Sequence, residues 1–422
     1  MRRAGRLLGR AVLLALCAAL AGCAPSSTLS LTATELTAGH DFVERASVDA
    51  DANVLAPYDF SLELMRRCSD EAAGRSVLVS PLSVLYALAM AESGATGQTL
   101  AQMERATGMG ADELTGALQA YLQLSGPQDS PVSLANSIWL RDSENLSVED
   151  DFLDACGGSL AAQVFAAPFD DSTVTDVNAW VSDKTHGMIP NVLGHLSDQA
   201  QFLLVNALTF EGAWLSPFSR ELVTQETFTL EDGTEKDVEM MRSLESTYLE
   251  GELATGFAKP YEGGTYQFVG LLPNEGITVS ELLGSLDGEA LSDLLVPVEN
   301  TIVDVGLPKF SLGYDVELSE ALRSLGITDA FDASRADFSR MGTSDVGPLF
   351  VGGVIHKTFI EVSEEGTRAA ATTAVAMDGG AGTTDEEEPE LRTVILDRPF
   401  VYLIVDARTG TPIFIGTLMS VE

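Results

Sequence analysis

Histidine and cysteine are both scarce, with four of each among 422 residues. His40, His186, His195 and His356 are widely spaced, no His-Glu-x-x-His or Cys-x-x-Cys run occurs, and no clustered acids stand at ligand spacing, so a metal site has no basis. A phosphate-binding loop and a Gly-x-Ser-x-Gly nucleophile elbow are also missing. Acidic pairs are too easily found by chance among 63 carboxylates to argue for a hydrolase. The expectation is a protein that is not an enzyme and uses no cofactor. Positive charge is scarce as well: 24 Lys and Arg against 63 Asp and Glu leave a formal charge of -39, which repels phosphate backbones and excludes nucleic acid as a partner. No apolar stretch after the N-terminus is long enough for a membrane helix.

The N-terminus itself is distinct. Arg2, Arg3, Arg6 and Arg10 precede an apolar run from Ala11 to Leu20, the layout of a secretory signal. The run closes on Leu20-Ala21-Gly22-Cys23, which resembles the lipobox of bacterial lipoproteins and implies cleavage after residue 22 and a diacylglycerol anchor on Cys23. Removal of the signal takes four arginines and no acids, leaving 20 bases against 63 acids, or -43. Residues 23–56, rich in Ala, Ser, Thr and Asp without sustained periodicity, read as a flexible tether. An extracellular, cell-surface location follows. Cys68 and Cys156 remain, and two cysteines far apart in sequence do not specify a disulfide, so their state stays open.

From residue 57 to 422 one large domain is expected, since no period repeats and no linker interrupts it. Apolar residues three or four apart predict helices at Ser61–Cys68, Pro81–Ser93, Leu100–Thr107, Ala111–Leu122, Glu149–Leu160 and Val174–Thr185. The second has Ser80 as its cap and Pro81 at its first position. Strands are predicted at Ser133–Trp139, Phe202–Phe210, Gln267–Leu272, Ile302–Lys309, Lys357–Val362, Val401–Val405 and Pro412–Met419. The class is α+β, with strands distant in sequence.

The segment from Glu364 to Leu391 has no helix cap and no strongly apolar strand, and a connection of that length inside a compact domain is usually functional. Yet Thr367, Ala369, Ala371, Thr373, Val375 and Met377 alternate with a second set, and every member of the first is small or apolar. In a strand the two sets face opposite ways. The composition is that of an exposed loop which can also become a buried strand.

Glu364-Glu365-Gly366-Thr367-Arg368-Ala369-Ala370-Ala371 resembles the proximal hinge of inhibitory serpins, the serine protease inhibitors. Three further segments resemble that family in order: Val79-Ser80-Pro81-Leu82-Ser83, Asn206 to Trp214 followed by Phe218, and Arg398-Pro399-Phe400 with Ile413 to Gly416. The resemblance implies a serpin fold of three β-sheets and eight or nine helices, with a reactive loop at about 364–391. It also implies a monomer whose partner is a target serine protease: the chain acts as a suicide substrate, its loop is cleaved, and the protease is trapped covalently and dragged as the loop inserts into the sheet. Gly366 then supplies backbone freedom and Thr367 is the first side chain buried. Counting from the hinge glycine puts the scissile bond at Gly380–Ala381, within a window that includes Met377, Asp378 and Gly379. No Lys or Arg lies between Ala369 and Leu391, so elastase-, subtilisin- or chymotrypsin-like targets are expected. Asp385 to Glu390 is read as a solvated acidic spacer.

Ser80, Ser83, Asn206 and His356 match the family's hydrogen-bonded cluster beneath the opening sheet, the shutter. Trp214 and the pair Glu364 with Lys309 match the breach where insertion begins. The competing expectation is a non-inhibitory serpin that serves as a surface binding module; a charged or bulky hinge would mark it, and Thr367 to Ala371 has neither beyond Arg368.

Overall fold

A computed structural model describes residues 29–42, 57–125, 131–367 and 389–421. Among them three large β-sheets, a two-stranded ladder and nine α-helices surround two apolar cores.

The large sheet is central to function. Its strands run in the order Thr34–Glu35, Gln163–Ala167, Val132–Arg141, Phe202–Phe210, Val351–Val362, Gly366–Thr367 and Gly212–Ala213, and Phe310–Glu317 pairs on the other flank of Val351–Val362. Phe202–Phe210 is buried at every position, as a strand covered on both faces must be. One face meets the helix Asp171–Lys184 through Trp139, Phe165 and Trp180, with Trp139 stacked on Phe165 at 4.3 Å. The helix Pro81–Gly94 belongs to the other core; it opens on Ser80, whose hydroxyl accepts the Ser83 amide, and nearly all of it is buried.

The second sheet orders Thr247–Glu250, Ala254–Pro260, Tyr266–Pro273, Phe400–Asp406, Pro412–Leu418 and Val77–Val79. The third orders Glu390–Ile395, Thr301–Pro308, Glu235–Glu245 and Thr224–Thr229. A two-stranded ladder joins Gly342–Thr343 to Ser147–Val148.

Two expectations change. The helix expected at Glu149–Leu160 is a single turn, Asp150–Leu153, continued by a π-helix at Asp154–Ser159. Gly157 and Gly158 lie within it under the ring of Phe42, where a Cβ on Gly157 would stand 2.3 Å from ring carbon. Second, the segment expected to be tether holds structure of its own over residues 31–42. Thr34–Glu35 pairs antiparallel with Phe165–Ala166, and the Asp176 carboxylate accepts the Thr32 amide at 2.8 Å, the Thr32 hydroxyl at 2.6 Å and the Ala33 amide at 2.7 Å. His40, within the same expected tether, faces Asp154 at 3.1 Å. Cys68 and Cys156, whose state the sequence leaves open, are separate buried thiols, each pushed up to about 12 by burial. Cys23 lies outside the described residues.

No helix among the described residues is long and apolar enough to cross a membrane.

Candidate functional site

Two strands of the large sheet part company at its upper end. Val351–Val362 and Phe202–Phe210 pair in parallel only as far as Lys357 with Ala207. Above that register the gap is taken by Gly366–Thr367, where Val362 pairs with Thr367 on one side and Gly212–Ala213 pairs with Gly366–Thr367 on the other. Four of the expected hinge residues, Glu364, Glu365, Gly366 and Thr367, are therefore fixed at the mouth of this opening. Arg368, Ala369, Ala370 and Ala371 and the window from Met377 to Ala381 lie outside the described residues.

The hinge is held mainly by its backbone. The Trp214 indole donates to the Ser363 carbonyl at 2.9 Å, the Trp214 amide to the Glu365 carbonyl at 3.0 Å and the Phe218 amide to the Glu364 carbonyl at 2.9 Å. Ser363 in turn donates its amide to the Gly366 carbonyl at 3.0 Å. Gly366 has φ of 156°, a setting that a Cβ disfavours. Thr367 is 1% exposed, with its hydroxyl 2.5 Å from that of Tyr261, and the Tyr261 ring lies flat on Trp214 at 4.5 Å.

Two ion pairs act on the same residues. Lys309 bonds Glu364 at 2.6 Å and Glu239 at 3.3 Å. Burial disfavours its ammonium, but the two carboxylates outweigh this and hold the amine above its ordinary range, while Glu364, against its own desolvation, is held below the usual carboxylate range by Lys309. Arg220 pairs with Glu365 from a largely exposed position, where a pair is worth only ~0 to 1 kcal/mol.

Directly below the opening, His356 stands in register with Asn206. His356 Nε2 accepts the Ser80 amide at 3.1 Å, so in the neutral ring the proton is on Nδ1, and burial lowers its pKa to about 4. The four expected shutter residues do not form one hydrogen-bonded cluster. Asn206 donates instead to Asn136, on the neighbouring strand, and Ser83 Oγ and Asn206 Oδ1 are buried without a partner. Nothing in its spacing singled out Asn136; its partner in register, Asn206, was the available signal. Tyr261 was likewise missed, being one aromatic in a turn-like Pro-Tyr-Glu-Gly-Gly run.

The residues 56–421 match the family described as Serpin (serine protease inhibitor). The chain is 30% identical to a serpin-like protein of Thermococcus kodakarensis, across 91% of this chain and 89% of that one. It is 33% identical to a serine protease inhibitor of Cyanea capillata, across 82% and 93%. Among solved structures, the thermophilic serpin tengpin in its native state overlays with a TM-score of 0.83 at 38% identity, covering 92% of this chain and all of that one. The latent state of tengpin overlays at 0.75.

Proposed function

The chain belongs to the serpin family, and from that premise we propose that it inhibits a serine protease by offering the segment after Thr367 as substrate and inserting it into the large sheet. The observation that carries this is Gly366–Thr367 standing as a strand between Val362 and Gly212–Ala213. Both edges define the same continuation. Counted along either one, an entering strand brings Thr373 between His356 and Asn206 and Met377 level with Phe202. Thr367 is buried, so alternation turns Ala369, Ala371, Thr373, Val375 and Met377 to the same face. A Thr373 hydroxyl at that level would meet Asn206 Oδ1, which lacks a partner.

The Phe202–Phe210 edge ends where Met377 would sit, so a scissile bond at Gly380–Ala381 leaves the whole inserted length on the inhibitor's side of the cut. Elastase-, subtilisin- or chymotrypsin-like proteases are the proposed targets, because the window holds no basic residue. Insertion has to outrun hydrolysis of the acyl-enzyme, and small side chains in the hinge let the strands part least. The proposed setting is the cell surface, with the chain exported and held by lipid on Cys23; Cys23→Ser should release it from the membrane fraction.

The test is incubation with an elastase- or subtilisin-like protease followed by denaturing electrophoresis. A denaturant-resistant covalent complex is expected. Thr367→Arg, which forces a charge into the space shared with Tyr261, should convert the protein to a cleaved substrate. Cleavage of the wild type without a complex would point to a binding module and end the inhibitory proposal.

A further inference from the structure

Lys259 is a lysine in an improbable place. It is the penultimate residue of the strand Ala254–Pro260, is 1% exposed, and its ammonium lies 2.5 Å from Glu245 Oε1, itself bonded by the Ser243 hydroxyl at 2.6 Å. The same nitrogen stands 4.2 Å from the centre of the Phe218 ring and 5.7 Å from that of Trp214. Burying an ion pair is weak ground for stability, because desolvation offsets the attraction, and an apolar pair of similar volume often does as well. The pair therefore calls for another account, and its neighbours supply one.

Trp214 and Phe218 are the two residues whose N–H groups hold the carbonyls of Ser363, Glu364 and Glu365. Two residues along the chain from Lys259, Tyr261 stacks on Trp214 and touches the Thr367 hydroxyl. The Pro260 carbonyl between them accepts the Leu215 amide at 3.0 Å. The end of one strand thus grips the Trp214–Phe218 segment at three points, and that segment grips the hinge at three more.

We propose that Lys259, paired with Glu245, is a positioning residue for the hinge: its cation, held against the Phe218 and Trp214 rings, fixes the donors that keep Ser363 to Glu365 at the mouth of the sheet and so sets how readily the sheet admits a further strand. A desolvated cation over aromatic faces is attracted more strongly than one in water. Neutralising it loosens the segment without opening a hole. This assignment rests on the hinge role proposed above for Glu364 to Thr367.

The experiment needs no protease. A synthetic peptide with the sequence of residues Thr367 to Met377 is incubated with the full chain, and its uptake into the sheet is followed by native electrophoresis. Lys259→Met combined with Glu245→Gln removes both charges and leaves no lone buried ion; it should take up peptide about fivefold faster than wild type, the effect of ~1 kcal/mol of lost cation–ring attraction. Lys259→Arg, which keeps the charge, should restore the wild-type rate, and the melting temperatures of all three should stay within a few degrees. Equal rates in the neutral variant and wild type overturn the assignment, as does an arginine variant as fast as the neutral one, or a wild type that takes up no peptide. Normal uptake without a covalent protease complex would sink the inhibitory proposal alone and leave this one standing.

Discussion

Glu92 is the most anomalous single side chain. It lies in the helix Pro81–Gly94, fully buried, with neither carboxylate oxygen partnered, and burial with the nearby charge of Glu104 pushes it up to about 8. An unfolded chain gives up this proton near the ordinary value of 4.5, so from there to about 8 the folded form keeps a proton that the unfolded form has lost. Stability must fall across that window as pH rises, by an amount on the order of a few kcal/mol. Glu92→Gln should raise the melting temperature at pH 8 and leave it unchanged at pH 4.5; a gain independent of pH would mean the carboxyl stays neutral for other reasons. His356 has the opposite sign. Its neutral ring accepts from Ser80 and its pKa is about 4, below the ordinary 6.5, so stability falls as pH drops from 6.5 towards 4. His356→Gln should flatten the melting temperature over that interval, and an unchanged slope in thermal scans would show that other groups set it.

The N-terminal strap extends such local bonds to a whole segment. Asp176 accepts three hydrogen bonds from Thr32 and Ala33, and Phe42 covers Gly157 at the far end. Asp176→Ala removes the charged acceptor at a cost of roughly 2 kcal/mol and should make residues 31–42 the first site of limited proteolysis, with the body beyond residue 57 intact; equal cleavage of both proteins would show that the strap is held elsewhere. This segment was illegible in the sequence because two paired residues give no period, and its bonds reach residues more than a hundred positions away. The long helices and fully buried strands were legible, since Pro81–Gly94 announces itself by Ser80 and Pro81, and Phe202–Phe210 by an apolar run broken only at Asn206 and Thr209. The strand Glu235–Glu245 was not: its Glu-Lys-Asp-Val-Glu start hides a period of two behind charge, and its partners Thr224–Thr229 and Thr301–Pro308 supply the register. Helices of six or seven residues, such as Val279–Ser285 and Ser319–Ser324, are too short to show a face. At the site, the hinge and His356 were named only through the family resemblance, and the Lys259–Phe218 contact, between a strand of the second sheet and the loop after Gly212–Ala213, leaves no spacing to read.

Among the described residues the large sheet is left open at one end. Leu208 to Phe210 and Thr358 to Val362 border the opening without pairing with each other, and among the described residues Gly366–Thr367 alone stands between them, at the mouth. A strand completed down to the level of Phe202 would add roughly a dozen backbone hydrogen bonds, which at ~0.5 to 1.5 kcal/mol each come to a driving force on the order of 10 kcal/mol. With roughly 2 °C per kcal/mol for a chain of this size, a molecule cut within Met377 to Ala381 should melt roughly 20 °C or more above the intact one. Scanning calorimetry before and after nicking by a metalloprotease, which cleaves without an acyl-enzyme and is therefore not trapped, measures this directly. Thr367→Arg, nicked at the same bond, should show little of the gain, because its charge must enter where Thr367 now meets Tyr261. A nicked wild type that melts at or below the intact temperature would mean that the sheet is already in its final form, and that the alternation after Thr367 serves some end other than insertion.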